Sequence, residues 1–508
     1  MTHLSDLAAA RPARPAATAP DGTGLTFAQL DDESRRLAAL LEGRGLRPGD
    51  TVALLLENIP RYLPAAWGVL RAGLVLVPVN WHLSAAEAVY IARDSGARAL
   101  ITSGTLAGLA SELAAASPAL ATRLAAGGPV PGFEDLDAAL AASSPARPAA
   151  EISGQVMFYS SGTTGRPKGI RRHEPPAAFG SEQVMESLLA GLYGFTPDSV
   201  YLCTGPLYHA APLGWSLAAQ GLGSQVVVMP RFDAEACLAL IERFRVTHVQ
   251  FVPTMFVRLL KLGPEVRARY DLSSLAMVVH AAAPCPPDVK RAMIGWLGPI
   301  IEEYYAASEA NCYFAIGSAD WLAHPGSVGR PLLGTPHILD EDGTEVAPGQ
   351  AGQIWIEGPA AFTYHNDAGQ TAGAFNDRGW STLGDLGHVD AEGFLYLSDR
   401  RTDLIITGGV NVYPREVEEA LAMHPAVADV AVIGLPHAEM GEEIRAVVQP
   451  AAGVTGSPEL EQELIEHCAA RLARFKRPRQ VDFVTDLPRL PSGKILRRVV
   501  RDTYAGTT

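Results

Sequence analysis

The run Val52-Ala53-Leu54-Leu55-Leu56 is followed by a segment of helix length, Arg61 to Arg71, then by Gly73 and a second unbroken apolar run, Leu74-Val75-Leu76-Val77-Pro78-Val79. A further helical stretch from Ser84 to Asp94 leads through Gly96 to the short run Ala99 to Thr102. Apolar runs alternating with helix-length segments predict parallel strands joined by crossover helices, because no tight turn can join a parallel pair. The stretch Ala139 to Ala150, rich in Ala, Pro and Ser, reads as a surface connection within the domain. The rhythm resumes with strands at Val200 to Cys203, Gln225 to Met229, Thr247 to Val252, Met277 to His280 and Ile301 to Tyr305. Two doubly wound sheets are expected before residue 320.

Beyond that point the strands are punctuated by glycine, as in Gly352 to Glu357 and Gly393 to Leu397, which suits an antiparallel, barrel-like subdomain. After Thr402 a compact α+β pattern follows: helix Arg415 to Met423, strands Ala428 to Ile433 and Arg445 to Gln449, helix Leu460 to Ala473, strand Gln480 to Val484. The fold class expected is therefore α/β, a large N-terminal domain of two doubly wound βα sheets plus a barrel-like subdomain, with a small α+β C-terminal domain.

The 508 residues are 48% hydrophobic and 19% charged, ordinary globular material. With 41 Lys and Arg against 55 Asp and Glu the net charge is -14, and no basic stripe interleaved with aromatics marks a nucleic-acid binder, so any phosphate site must be local. The 5 cysteines are scattered without a Cys-x-x-Cys pair, as free thiols in a reducing cytoplasm would be. Residues 1–18 have no signal-peptide core, and no window approaches the roughly 18 consecutive apolar residues of a membrane span. A cytoplasmic protein without a transmembrane segment is expected.

The most informative stretch is Tyr159-Ser160-Ser161-Gly162-Thr163-Thr164-Gly165-Arg166-Pro167-Lys168-Gly169. Hydroxyls, glycines and a lysine packed this densely offer O–H donors, bare backbone N–H groups and a cation to a polyphosphate. The spacing is not that of a Walker A loop, since Pro167 stands where the Gly of the Gly-Lys pair would be.

This run resembles the phosphate-loop signature of the adenylate-forming superfamily of acyl-CoA synthetases, peptide-synthetase adenylation domains and luciferases. Further motifs follow in the family's order from about Leu25 to Arg498. The segment Pro206-Leu207-Tyr208-His209 is similar to the one whose histidine or aromatic residue closes the carboxylate pocket, and Ala281-Ala282-Ala283-Pro284 to the small-residue turn on which adenine lies. Glu303-Tyr304-Tyr305-Ala306-Ala307-Ser308-Glu309 resembles the Tyr-Gly-x-Thr-Glu core. That match implies Tyr305 stacked on adenine, Ser308 bonded to a phosphate oxygen, and Glu309 holding Mg²⁺, a hard cation suited to carboxylate and phosphate oxygens. Ala306 departs from the family's Gly, and its methyl should reshape the acyl pocket. Leu383-Gly384-Asp385 resembles the end of a Thr-Gly-Asp motif whose aspartate takes the ribose hydroxyls.

Asp399-Arg400-Arg401-Thr402 and the run through Gly408-Gly409 to Pro414 resemble the hinge and thiol-tunnel motif. The resemblance implies Arg400 on the ribose, Thr402 as hinge between domains 1–401 and 402–508, and Gly408 and Gly409 beside the pantetheine arm. Leu490-Pro491-Ser492-Gly493-Lys494 resembles the loop of the catalytic lysine, Lys494. The activity implied is ATP-dependent and Mg²⁺-dependent conversion of a small-molecule carboxylic acid to its acyl-AMP, then transfer to coenzyme A. The candidate site comprises Lys494, Glu309, Ser308 and His209, with Ser160, Ser161, Gly162, Thr163, Thr164, Gly165, Lys168, Ala282, Ala283, Tyr305, Asp385, Arg400, Gly408 and Gly409 binding the nucleotide and coenzyme A. Small and apolar residues at Ala210 to Leu217, Ala306, Ala307 and Cys312 point to an aliphatic or aromatic acid, with fatty, bile-acid-like and aryl ligases nearest in texture. Two alternatives stay open: an adenylating enzyme whose acceptor is a carrier-protein thiol, an amine or an inorganic nucleophile such as nitrite, and a non-catalytic nucleotide-binding homologue.

Overall fold

A computed structural model describes residues 4–144, 152–161, 167–173, 177–181, 183–358, 361–400, 405–407, 410–437, 440–472, 474–489 and 495–505. The opening run forms the strand Thr51–Leu55, buried at every position. It sits inside a six-stranded sheet between Val75–Pro78 and Ala97–Ser103, with Thr122–Ala126, Glu134–Asp135 and Gln155–Val156 outside them. Every described pair in this sheet is parallel. The crossover helices start and stop where local chemistry tells them to. Ser84 and Glu87 form a reciprocal capping box at the start of Ala85–Asp94, and the chain leaves Tyr62–Arg71 through Gly73 in the left-handed region, φ 72°.

The second sheet has thirteen strands. Its parallel centre is Gln225–Val228, Val200–Cys203, His248–Phe251, Met277–His280 and Ile301–Ala306, the βα strands expected from the sequence. Direction reverses at Tyr313–Gly317, which pairs antiparallel with Ile301–Ala306. The glycine-punctuated strands Ser327–Leu333, Leu395–Arg400, Asp385–Val389, Gly352–Glu357 and Thr335–Leu339 then continue the same sheet, all antiparallel. At the opposite edge the sheet recruits Pro15–Thr18 and Gly24–Thr26. These two are too short to show an alternation, so the sequence does not reveal them. The first part of the stretch expected as a plain connection, 139–142, belongs to the helix Leu136–Ala142, whose start Asp135 caps through its side chain.

A three-stranded antiparallel sheet, Phe158–Ser161, Pro167–Arg172 and Phe362–Tyr364, carries the flanks of the phosphate-loop signature. Toward the C-terminus, Val427–His437, Gly441–Pro450, Gln480–Phe483, Ile405–Thr407 and Val410–Val412 form a five-stranded sheet. Helices Pro414–Ala422 and Pro458–Ala469 cover it around a core of Val417, Leu421, Val430, Val432 and Leu464. This unit meets the rest of the chain where Arg415 Nη1 donates to the Leu397 carbonyl (2.9 Å) and Lys261 Nζ to the Val427 carbonyl (2.5 Å). All five cysteines are buried and free. Among the described residues no helix is long and apolar enough to cross a membrane.

Candidate active site

The strand Ile301–Ala306 delivers Tyr305 to one end of the large sheet, and the strand Asp385–Val389 begins there. The Tyr305 hydroxyl donates to Asp385 Oδ2 at 2.6 Å, so two residues 80 positions apart, expected to hold adenine and ribose, share a hydrogen bond. Gly384, at φ 80°, makes the turn that releases Asp385 into its strand. Asp385 pairs across the ladder with Arg400, which sets the backbone of both expected ribose residues side by side. The turn expected to carry adenine lies beyond the strand Met277–His280, and Ala282 within it adopts φ 73°, a left-handed conformation unusual for a residue with a Cβ.

A buried charge cluster underpins these segments. Lys290, fully buried, lies with Nζ 2.7 Å from Glu303 Oε2, and His280 Nε2 stands 3.5 Å from the same oxygen. His280 precedes the turn at 281–284, Lys290 is on the helix Pro287–Leu297 that follows it, and Glu303 is two residues before Tyr305. Burial raises the Glu303 carboxyl, opposed by Lys290, and holds His280 well below the ordinary histidine value.

Ser160 and Lys168 face each other across the phosphate-loop hairpin, as Ser161 faces Pro167. Lys168 Nζ lies 3.8 Å from the centroid of the Tyr364 ring, and the Tyr364 hydroxyl donates to Glu309 Oε1 at 3.0 Å. A second anchor holds the other flank: the Tyr159 hydroxyl donates to Asp94 Oδ2 at 2.6 Å. His365 Nε2 and Asn366 Nδ2 donate to the Asp94 carbonyl at 2.9 and 3.1 Å. Burial and the Asp94 charge raise the Tyr159 phenol, which therefore stays a donor across the physiological range. Gly169 sits in a tight place, where a Cβ would meet the Tyr159 ring at 3.0 Å and His365 Cβ at 3.1 Å, so a side chain there would have to displace its neighbours by a few tenths of an ångström.

His209 stands at the N-cap of the helix Ala210–Gly221. Burial brings its pKa down to about 4, so it is neutral at physiological pH, and its buried Nε2 has no hydrogen-bond partner among the described residues. The partly exposed Ala210, Ala211 and Ala306 lie against the same core as Trp215, Tyr304 and Tyr313. In that core Tyr304 stacks between Trp215 (centroids 5.8 Å) and Tyr313 (5.0 Å). Ser308 and Ala283 are half-buried beside Glu309 and Ala282 respectively.

The expected residues Gly162, Thr163, Thr164, Gly165, Thr402, Gly408, Gly409 and Lys494 lie outside the described residues, as do the side chains of Ser161 and Arg400. Among the described residues no three His, Cys, Asp or Glu side chains converge as a metal cage. Glu309, a buried carboxylate with one oxygen held by Tyr364, fits an ion carried chiefly by the phosphates of its nucleotide. Sequence reading missed Tyr364, Asp94, Gln250 and Lys290. Each acts through a partner distant in sequence, Gln250 by donating to the Tyr304 hydroxyl (2.6 Å), and no local pattern marks such residues.

The fold is that of the enzymes that make acyl-adenylates. The family model for AMP-binding enzymes matches residues 4–364, and that for the AMP-binding enzyme C-terminal domain matches 416–494; the chain belongs to this family, within the adenylate-forming superfamily. It is 36% identical over 489 residues to a feruloyl-CoA synthase of an Amycolatopsis species, covering 95% of this chain and 94% of that protein. It is 33% identical over 500 residues to a fatty acid–[acyl-carrier-protein] ligase of Streptomyces coeruleorubidus, covering 96% and 93%. The ATP-bound crystal structure of MatB from Rhodopseudomonas palustris superposes with a TM-score of 0.82 at 30% identity over 100% of both chains, and the apo form of MatB with 0.71. The chain as a whole superposes better on the ATP-bound structure than on the apo one.

Proposed function

We propose that this protein is an ATP-dependent, AMP-forming carboxylic acid–CoA ligase. The observation that carries the reading is the convergence of Tyr305 and Glu309, of Asp385 and of Lys168, from three separate segments, around one end of the large sheet. The feruloyl-CoA synthase likeness over nearly the whole chain supports coenzyme A as acceptor.

A carboxylate resists substitution because its leaving group would be oxide. In the first step the acid's carboxylate oxygen attacks the α-phosphorus of ATP, an O–P bond forms, the bond to the β-phosphate bridging oxygen breaks, and pyrophosphate leaves. Such chemistry is chiefly positioning and charge stabilisation. Tyr305 and Asp385 would fix adenosine, and Ser160, Lys168, Ser308 and the loop 162–165 would hold the phosphates. Neutral His209 would border the carboxylate, and Lys494 would reach the charge developing at the α-phosphate. Glu309 would hold Mg²⁺, which when bound neutralises phosphate charge. In the second step the thiol of coenzyme A, as thiolate, attacks the acyl carbonyl, the C–S bond forms, and AMP leaves with the electron pair of the broken C–O bond. Gly408 and Gly409 would give the pantetheine arm passage. Rotation of residues 402–508 about Thr402 would exchange the Lys494 face for the tunnel face.

Ala210 and Ala211, which follow His209, and Ala306, all partly exposed against the aromatic core, favour an aliphatic or aryl acid. A carrier-protein thiol as acceptor is the second reading, favoured by the likeness to the acyl-carrier-protein ligase. The test is mass spectrometry of the purified protein with ATP, Mg²⁺ and a panel of fatty, aryl and steroid-side-chain acids, with and without coenzyme A. Acyl-CoA from one acid upholds the reading. Acyl-AMP that coenzyme A leaves untouched moves the acceptor elsewhere, and no adenylate from any acid refutes the ligase.

A further inference from the structure

We propose that Tyr364 is a positioning residue for adenylation, one that aims Glu309 at the magnesium-bound phosphates while holding Lys168 at its station; the inference rests on the ligase reading above. Tyr364 is 6% exposed and Glu309 8%. Its backbone is tied to the phosphate-loop hairpin by pairing with Ile170, and its N–H donates to Thr371 Oγ1 at 2.9 Å. Lys168, two residues before Ile170, is therefore a diagonal cross-strand neighbour, and its ammonium rests 3.8 Å from the ring centroid. The hydroxyl at the far end of the same ring donates to Glu309 Oε1 at 3.0 Å.

One neutral side chain thus touches a cation with its face and an anion with its edge. The terminal torsion of a glutamate is soft and roughly two-fold, so a buried carboxylate without an anchor turns freely about its last bond. The Tyr364 hydroxyl removes that freedom and leaves the second oxygen directed away from it. The ring bears on Lys168 through the aromatic quadrupole. Tyr364 itself has no part in bond making. It acts through Glu309 and Lys168, and its rigid seat in the three-stranded sheet links the hairpin to the Glu309 turn.

The test uses Tyr364→Phe, which keeps the ring and deletes only the hydroxyl, and reads binding rather than turnover. Affinity for ATP is measured by titration calorimetry on the ligand-free full chain, once with Mg²⁺ and once with EDTA. The expected result is about a tenfold loss of affinity for ATP with Mg²⁺, the worth of one hydrogen bond to a charged group, and less than about a twofold change with EDTA. Glu309→Gln should show the same selective loss, and the double variant no more than either single one, because both remove one coupled unit. Equal losses with and without Mg²⁺, or additive losses in the double variant, would overturn the proposal and leave Tyr364 as packing alone. Tyr364→Leu adds a second readout by removing the ring under Lys168: ATP affinity should then fall in EDTA as well, and an unchanged value there refutes the Lys168 half. A wild-type protein with no Mg²⁺ advantage strikes the Glu309 assignment and this role together. A wild-type advantage that Tyr364→Phe leaves intact strikes only the role of Tyr364.

Discussion

Lys290→Met tests whether the buried charge cluster under the turn at 281–284 braces the fold. Lys290 is 0% exposed, its Nζ is 2.7 Å from Glu303 Oε2, and it lies 4.8 Å over the Trp321 ring. Methionine fills nearly the same volume, so the substitution deletes the charge and little packing. Glu303, 5% exposed, then keeps only the more distant charge of Arg415 and His280 Nε2 at 3.5 Å, a ring that burial keeps neutral. Breaking a buried pair from one side costs about 3–5 kcal/mol, and at roughly 2–4 °C per kcal/mol the melting temperature should fall by about 6–20 °C. Removing both charges with Lys290→Met/Glu303→Leu should recover most of that loss, since no orphan carboxylate remains. The pH dependence has a definite sign. Burial raises the Glu303 carboxyl, Lys290 opposes the rise, and without Lys290 the folded pKa climbs further above its unfolded value. A group raised on folding contributes stability that is present at low pH and lost as pH increases, so the deficit should be smaller at pH 5 than at pH 8. Calorimetric melts of wild type, single and double variants at both pH values decide the matter. A single variant as stable as wild type at pH 8, or a deficit that grows on acidification, refutes the reasoning.

Tyr305→Phe keeps the ring proposed to stack on adenine but deletes the donor to Asp385 Oδ2; ATP affinity should fall about tenfold with the KM of the acid unchanged, checked by calorimetry and initial rates. His209 and His248 both have pKa values brought down to about 4 by burial, so the unfolded chain gains protons before the folded one as pH falls from about 6.5 to 4. Stability should decline through that window, and His248→Gln, which can keep the bond to the Tyr193 carbonyl (2.9 Å), should flatten the decline in denaturant titrations. Thr402→Pro should separate the two half-reactions, sparing either pyrophosphate exchange or thioester formation from preformed acyl-AMP; full retention of both would remove Thr402 as hinge.

The sequence by itself determined most of the fold and the chemical class. Runs such as Val52 to Leu56 and the strands from Val200 to Tyr305 declare themselves because an apolar run and its following helix are local patterns, legible without knowing what they touch. The same holds for the phosphate-loop signature and for Tyr305, Glu309 and Asp385, each embedded in a short motif. The strands Pro15–Thr18 and Gly24–Thr26 are too short to carry a period, and only the sheet edge supplied by Gln225–Val228 makes them strands. The continuation of the large sheet through its antiparallel strands is likewise a matter of which edge meets which. Tertiary structure alone decided the supports of the site: Tyr364 between Lys168 and Glu309, Asp94 under Tyr159, Lys290 against Glu303. Hydrogen bonds and ion pairs between residues 13 to 80 positions apart leave no mark in local composition, because their strength depends on distances and burial that exist only once the chain has closed on itself.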